Sequence, residues 1–335
     1  MNKRKTSTTI YDVAELSGYS IATVSRVLNS PERVSERARE SVLTAIDDLG
    51  FEPKTDARER ARKEVGRIGV IIPFFTLPSF SQRLRGIAAA VVDSRYDLTI
   101  YPVNSQAHLD SYLTVLPFSR QIDGLIIVSL PVDDSSLKRL KKSAIPTLLV
   151  ENHIDGFSSV EINNFNGGEL AADHFIKKKH TKCAYIGNTI TPDYSLSPED
   201  DRLNGYRKTL TRNGLSLPEE YIKLSVFPPI NPDKQVEELL GLPDSPTAIF
   251  AATDELALRV LKVAQKKDIQ IPEELALIGF DDIEFAEYLE LTTINQSLQE
   301  SGKLAVEHLI SQIADPSRPI ENTFIQLKLI ERNTT

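Results

Sequence analysis

The pattern with the clearest chemical meaning in this 335-residue chain lies near its N-terminus. Ala14, Gly18 and Val24 stand at the spacing of a helix-turn-helix. A small residue lets a second helix approach the first, a glycine makes the turn, and an aliphatic side chain plugs the joint. The second helix then turns Ile21, Ala22, Ser25, Arg26 and Asn29 outward. In such pairs this helix lies in the DNA major groove, its N-terminal residues against base edges. The Arg26 guanidinium suits guanine O6 and N7, a pairing worth about 1–3 kcal/mol of discrimination. Ile21 and Ala22 carry no polar side-chain atoms, so they suit thymine methyls and groove shape. Tyr11, Ser20, Thr23 and Asn29 are placed for phosphates, contacts that fix register rather than sequence. The spacing by itself also fits an ordinary three-helix bundle in which Arg26 is merely solvated, and that alternative stays open at this point.

Other chemistries are thinly supplied. The five histidines (His108, His153, His174, His180, His308) are scattered, and neither HxxxH nor CxxC occurs. Asp281, Asp282 and Glu284 form an acidic cluster that raises the question of Mg²⁺, but a loop of acids is more often solvated. No nucleophile–base pair or P-loop stands out, so neither enzymatic activity nor a cofactor is expected. Cys183, the single cysteine, excludes an internal disulfide and fits a reducing cytoplasm. The opening MNKRKTSTTI has no apolar stretch after its basic residues, and no apolar run approaches the roughly 18 residues of a membrane span.

The elements that must position these residues follow from periodicity. Three short helices, Tyr11–Ser17, Ile21–Asn29 and Glu36–Leu49, are expected in the first 50 residues. Ser20 and Ser35 suit N-caps, while Gly18 and Gly50 suit left-handed helix ends. The segment KTDARERARKE that follows has only alanines as apolar side chains and makes no core of its own. From Arg67 onward the runs RIGVIIP, LTIYP, GLIIVS, PTLLVE, KCAYIG, TAIFAA and LALIGFD alternate with helical stretches over 81–92, 135–142, 168–178, 202–212, 255–266 and 297–313. That alternation implies parallel sheets covered on both faces. About ten strands are too many for one open sheet, so two subdomains are expected. The stretch 189–201 reads as a loop, and FIQLKLIERNTT as one strand with a polar tail. Length and composition agree: 41% hydrophobic and 26% charged residues allow a sizeable core. Residues 1–64 hold 12 Lys and Arg against 11 Asp and Glu, while the rest hold 27 against 36, so only the head suits a polyanion.

In open α/β sheets, ligands bind beyond the carboxyl ends of the strands. The residues at those ends are Phe74, Phe75, Ser129, Glu151, Thr253, Asp254 and Asp281. Asp254 is equally placed to N-cap the following helix, which is the preferred reading for it. Phe74 and Phe75 fit a core or a dimer contact as readily as a stacking platform.

The head resembles that of the LacI/GalR family of repressors. The shared features are T-x-x-D-V-A from Thr9, ATVSRVLN from Ala22, V-S-x-x-x-R-E-x-V from Val34 and L-G-F-x-P from Leu49. Similarity continues through IGVIIP, NNFNGGELAADHF, ATDELAL and IGFDD…LTTI, essentially the whole chain. The resemblance implies a helix-turn-helix head over 1–52 and a hinge over 53–65. It implies a periplasmic-binding-protein-like body of two parallel-sheet subdomains, 66–161 with 295–322 and 162–294 with 323–335. It also implies a homodimer on a pseudo-palindromic operator and a small effector, a sugar, bound between the subdomains. Arg202, three residues before Gly205, matches the arginine that grips effector hydroxyls, and Asp281 matches the acid that accepts them. The alternative to such a grip is a surface ion pair of Arg202 with Asp200 or Asp201. In the hinge, Ala57 and Arg58 match the family pattern, but Arg60 stands where a leucine wedges into the minor groove. Arginine prefers a narrow, electronegative groove to insertion between bases. Thr253 and Asn163 also depart from the residues common at their positions. Two other functions stay open: control by a phosphorylated partner protein, and a sugar-binding protein with no DNA role.

Overall fold

The computed structural model describes residues 8–51, 66–190, 192–227 and 232–335. The expectations for Ala57, Arg58 and Arg60 therefore lie outside the described residues, as does the side chain of Asn29. The chain forms two compact units: residues 1–75, 88–159 and 305–321 in one, and 76–87, 160–304 and 322–335 in the other.

The first unit begins with three helices, α1 (Ile10–Ser17), α2 (Ile21–Asn29) and α3 (Glu36–Leu49). Local chemistry sets their ends. The Thr9 amide and hydroxyl both donate to Asp12 Oδ2, at 2.6 and 2.7 Å, which explains the T-x-x-D opening as a helix start. Those bonds hold the Asp12 carboxyl below its ordinary range. Ser20 accepts from the Thr23 amide at 3.2 Å, and Ser35 from that of Ala38 at 3.4 Å. Gly18 (φ 74°) and Gly50 (φ 59°) close α1 and α3 in the left-handed region. Val13, Val24, Val27, Val42, Ala45, Ile46 and Phe51 make the small core between the helices.

The body has two six-stranded sheets. In the first, β1 (Gly66–Pro73), β2 (Tyr96–Val103), β3 (Gly124–Val128), β4 (Thr147–Val150), β5 (Ser158–Ile162) and β11 (Asn322–Ile325) lie in the order β11-β5-β4-β3-β1-β2. In the second, β6 (Cys183–Ile190), β7 (Ile222–Val226), β8 (Ala248–Ala251), β9 (Ala276–Asp281), β10 (Thr293–Asn295) and β12 (Lys328–Ile330) lie in the order β12-β10-β9-β8-β6-β7. The central pairings are parallel, and β12 runs antiparallel to β10. Strands β3, β4, β8 and β9 are buried along their whole length, which is why their sequences are unbroken apolar runs. The helices are α4 (Pro78–Val92), α5 (Gln106–Ser119), α6 (Asp134–Ser143), α7 (Asn164–Lys177), α8 (Glu199–Arg212), α9 (Pro232–Leu240), α10 (Asp254–Lys266), α11 (Glu284–Tyr288) and α12 (Leu298–Ala314).

Three expectations change. The C-terminal segment is two strands, not one, and they belong to different sheets. Its polar end is bonded down: Thr334 Oγ1 donates to the Leu277 carbonyl at 2.7 Å and accepts from the Thr292 amide at 2.9 Å. The loop expected over 189–201 is shortened at both ends, since β6 reaches Ile190 and α8 starts at Glu199.

Candidate functional site

Helix α2 is built to show one face. Val24 and Val27 are buried, whereas Ser20, Ile21, Ala22 and Arg26 are exposed and Thr23 and Ser25 half-buried. Tyr11 on α1 is 67% exposed, which leaves its ring and hydroxyl open to a partner. The packing that fixes this face is the expected one, with Val24 fully buried in the head core and Ala14 packed against it.

Within the first unit the head rests on the body by its other side. Ser111 Oγ on α5 donates to the Leu28 carbonyl at 2.8 Å, in the last turn of α2. Arg139 on α6, itself buried, reaches Asp47 Oδ1 at 2.5 Å, and Arg39 Nε lies 3.7 Å from Asp110 Oδ2. The outward residues of α2 take no part in these bonds.

Four of the body residues singled out from strand ends share a property invisible in sequence. Phe74 (φ 45°), Ser129 (φ 50°), Glu151 (φ 58°) and Asp281 (φ 118°) all have left-handed backbone. The first three come directly after β1, β3 and β4, and Asp281 is the last residue of β9. A non-glycine residue costs of order 1–3 kcal/mol in sparsely populated regions of this kind and persists only where its surroundings impose it. In the first unit, Ser129 Oγ donates to Glu151 Oε2, and the Ser129 amide donates to the Val150 carbonyl at 2.9 Å. Phe75 is exposed and Phe74 half-buried, so neither is a core residue of the unit.

In the second unit the guanidinium of Arg202 lies 3.6 Å over the Phe280 ring. Its Nε donates to Asn164 Oδ1 at 2.9 Å and its Nη1 to the Ala252 carbonyl at 2.6 Å. Arg202 is 3% exposed, so the surface ion pair is excluded. The close approach of α8 to α7 depends on Gly168, where a Cβ would stand 2.0 Å from the Arg202 carbonyl oxygen. Asp281 is also buried and accepts from Gln296 Nε2.

The cap expected from Asp254 falls to its neighbour. Thr253 Oγ1 accepts from the Leu256 amide at 3.2 Å. Asp254 points inward instead, where Oδ2 accepts from the Ile283 amide at 2.9 Å and Oδ1 from Thr293 Oγ1 at 2.5 Å. Burial first, and the neighbouring Asp281 charge second, push the Asp254 carboxyl well above the usual carboxylate range. Asp254 thereby ties the turn after β9 to β10. Asp282 is held in the same turn by Arg332 Nη2 at 2.8 Å and Asn295 Nδ2 at 2.6 Å. No group of three or more metal-ligating side chains occurs among the described residues. Sequence reading missed Asn164, Phe280 and Gln296. Phe280 had a visible signal, since it directly precedes Asp281.

Residues 9–54 match the model of bacterial regulatory proteins of the lacI family, and residues 172–335 that of a periplasmic binding protein-like domain. The ribose operon repressor of Escherichia coli (strain K12) is 31% identical over 97% of this chain and 99% of its own length. This chain belongs to the LacI family. Its fold agrees: the lac repressor dimer bound to operator and the anti-inducer ONPF superposes with a TM-score of 0.68 at 26% identity, covering 98% of this chain and 99% of that one. A LacI family transcriptional regulator from Enterococcus faecium with bound ribose gives 0.69 at 26% identity, covering 80% and 98%. The chain is thus a DNA-binding transcriptional regulator with a helix-turn-helix head and a periplasmic-binding-protein-like body, and its family is one of regulators rather than enzymes. Among the described residues, no helix is long and apolar enough to cross a membrane.

Proposed function

We propose that this LacI-family chain is a repressor that acts in the cytoplasm as a homodimer on a pseudo-palindromic operator, and that a sugar sets its affinity for that operator. The observation that carries the DNA half is the α2 surface. Ile21, Ala22 and Arg26 are exposed together on a helix whose opposite side is fully committed to the head core. Arg26 reads guanine, Ile21 and Ala22 read thymine methyls and shape, and Ser25 flanks them. Tyr11, Ser20, Thr23 and Asn29 hold phosphates. Ala57, Arg58 and Arg60 follow toward the minor groove, with Arg60 favouring a narrow groove over a wedge. One such head reads only a few base pairs, so two are needed, one helical turn apart.

For the effector, Arg202 and Asp281 supply a planar donor and an acceptor suited to vicinal hydroxyls. Phe280 backs the guanidinium, Thr253 caps α10, and Asp254 ties the turn after Asp281 to β10. Ser129 and Glu151 are the polar groups, and Phe74 and Phe75 the stacking surfaces, that the first unit offers to a sugar. The ribose operon repressor relative and the ribose-bound neighbour make D-ribose the first sugar to try. The experiment is selection of an operator from random duplex DNA, followed by titration with and without D-ribose. The expected result is an enriched pseudo-palindrome and an operator affinity that D-ribose changes at least about fivefold, the lower range of allosteric coupling. No enrichment overturns the DNA reading, and an operator affinity untouched by D-ribose and by related pentoses and hexoses overturns the sugar reading.

A further inference from the structure

The second unit buries another arginine besides Arg202. Arg83, on α4, is 2% exposed. Its Nε donates to Ser301 Oγ on α12 at 3.0 Å, and its Nη2 to Gln296 Oε1 at 3.4 Å. Gln296 in turn donates from Nε2 to Asp281 Oδ1. The chemistry at the two ends fixes the polarity of this chain of bonds. A guanidinium only donates and a carboxylate only accepts, so the amide between them must turn its oxygen to Arg83 and its nitrogen to Asp281. The segment holding Arg83 has no slack. Where α4 crosses α12, a Cβ at Gly86 would stand 1.9 Å from the Gln299 carbonyl oxygen, and one at Gly302 would stand 2.3 Å from the carbonyl oxygen of Arg83 itself. Residues 78–87 of α4 belong to the second unit, and the same helix runs on without a break to Val92.

We propose that Arg83 is a positioning residue that couples Asp281 to helix α4, acting through Gln296. The inference deepens the sugar reading and rests on it for the role of Asp281. A sugar hydroxyl donated to Asp281 competes with the Gln296 amide for the same carboxylate. The amide can shift only by changing its bond to Arg83. Arg83 can shift only with the backbone of α4, because the glycine crossing has no room to absorb the motion. Arg83 touches neither the operator nor the sugar in this account. Its effect is on how strongly one depends on the other.

The test uses the full chain and two variants. Arg83→Met keeps most of the side-chain volume and removes the charge, and Gln296→Leu keeps the arginine and cuts the relay. Two readouts are taken: hydrogen exchange at the Ile283 amide, which the Asp281 turn protects through Asp254, and operator titration with and without D-ribose. Both variants are expected to exchange Ile283 at least about tenfold faster, as local opening of that turn becomes cheaper. The effect of D-ribose on operator affinity is expected to fall from the roughly 5–150-fold range of allosteric coupling to within about twofold. A purely structural role would lower the melting temperature without touching that ratio. If Arg83→Met does not fold, Gln296→Leu decides alone. A folded variant with wild-type Ile283 protection and a wild-type D-ribose effect overturns the proposal. If D-ribose leaves the wild-type protein unchanged, the choice of that sugar fails, and the Ile283 readout still decides whether Arg83 holds the Asp281 turn.

Discussion

Replacing Arg202 with methionine isolates the anchoring of the guanidinium from its proposed contact with ligand. The change removes the bond to the Ala252 carbonyl at 2.6 Å and the bond to Asn164 Oδ1 at 2.9 Å, and it removes the stack on Phe280 at 3.6 Å. Ala252 is fully buried, so its carbonyl is left without that donor. An unsatisfied buried acceptor costs about 1–3 kcal/mol. Loss of a desolvated cation–π contact costs about 2 kcal/mol more. Against this, methionine recovers part of the apolar contact and avoids burying a charge. A net loss of about 3 kcal/mol follows from these terms, which for a unit of this size is a fall in melting temperature of roughly 6–12 °C. The assay is thermal unfolding by near-ultraviolet circular dichroism without any ligand. Melting within a degree or two of wild type would refute the assignment of Arg202 as a packed, bonded group. D-ribose should then fail to raise the melting temperature of the variant at concentrations that raise that of the wild type.

Ser20→Ala removes the N-cap of α2 and should cost about 1 kcal/mol of head stability, read as a lower melting temperature of the DNA-free protein that Ser20→Asp, another capping residue, partly restores. Cys183 is buried, and burial pushes its thiol up to about 11. A thiol-specific reagent should therefore leave it unmodified at pH 7 until denaturant opens the second unit, and rapid labelling of the native protein would contradict the packing. His174 and His180 both sit below the ordinary histidine range, chiefly because burial disfavours their charged forms. The unfolded chain therefore takes up protons first as pH falls through about 6.5, so stability drops on acidification from pH 7.5 to 5.5, and His174→Gln with His180→Gln should flatten that slope in urea titrations.

The legible parts of the sequence were those where local chemistry and tertiary structure agree. The head helices follow their caps: Ser20, Ser35, Gly18 and Gly50 do in the structure what their residue types suggest. The central strands are apolar runs because both faces are covered, and all seven runs read from the sequence are strands. Helix α5 was missed for the opposite reason. Ala107, Leu109, Ser111, Leu113, Thr114, Leu116 and Pro117 are buried on several sides, so no single apolar stripe marks it, and Pro117 argues against a helix. The short edge strands β7, β11 and β12 carry exposed or half-buried residues and leave little pattern. At the candidate effector residues, the strand-end rule located Ser129, Glu151 and Asp281, but nothing local predicts their left-handed backbone, which the packing around each strand end imposes. Asp254 shows the limit most directly. A carboxylate at a helix start reads as a cap, yet the buried Thr293 hydroxyl and Ile283 amide, distant in sequence, compete for it and win.

Base-edge recognition by α2 rests on Arg26. The most direct measurement is a fluorescence-anisotropy titration of wild type and Arg26→Ala against the selected operator and against the same operator with its guanines exchanged at one half-site position at a time. Arg26→Ala is expected to weaken binding to the intact operator at least about tenfold and to remove the penalty of exchange at one guanine position, as loss of a bidentate contact requires. Unchanged affinity in a folded Arg26→Ala protein, or a variant that keeps the full penalty at every guanine, would contradict it.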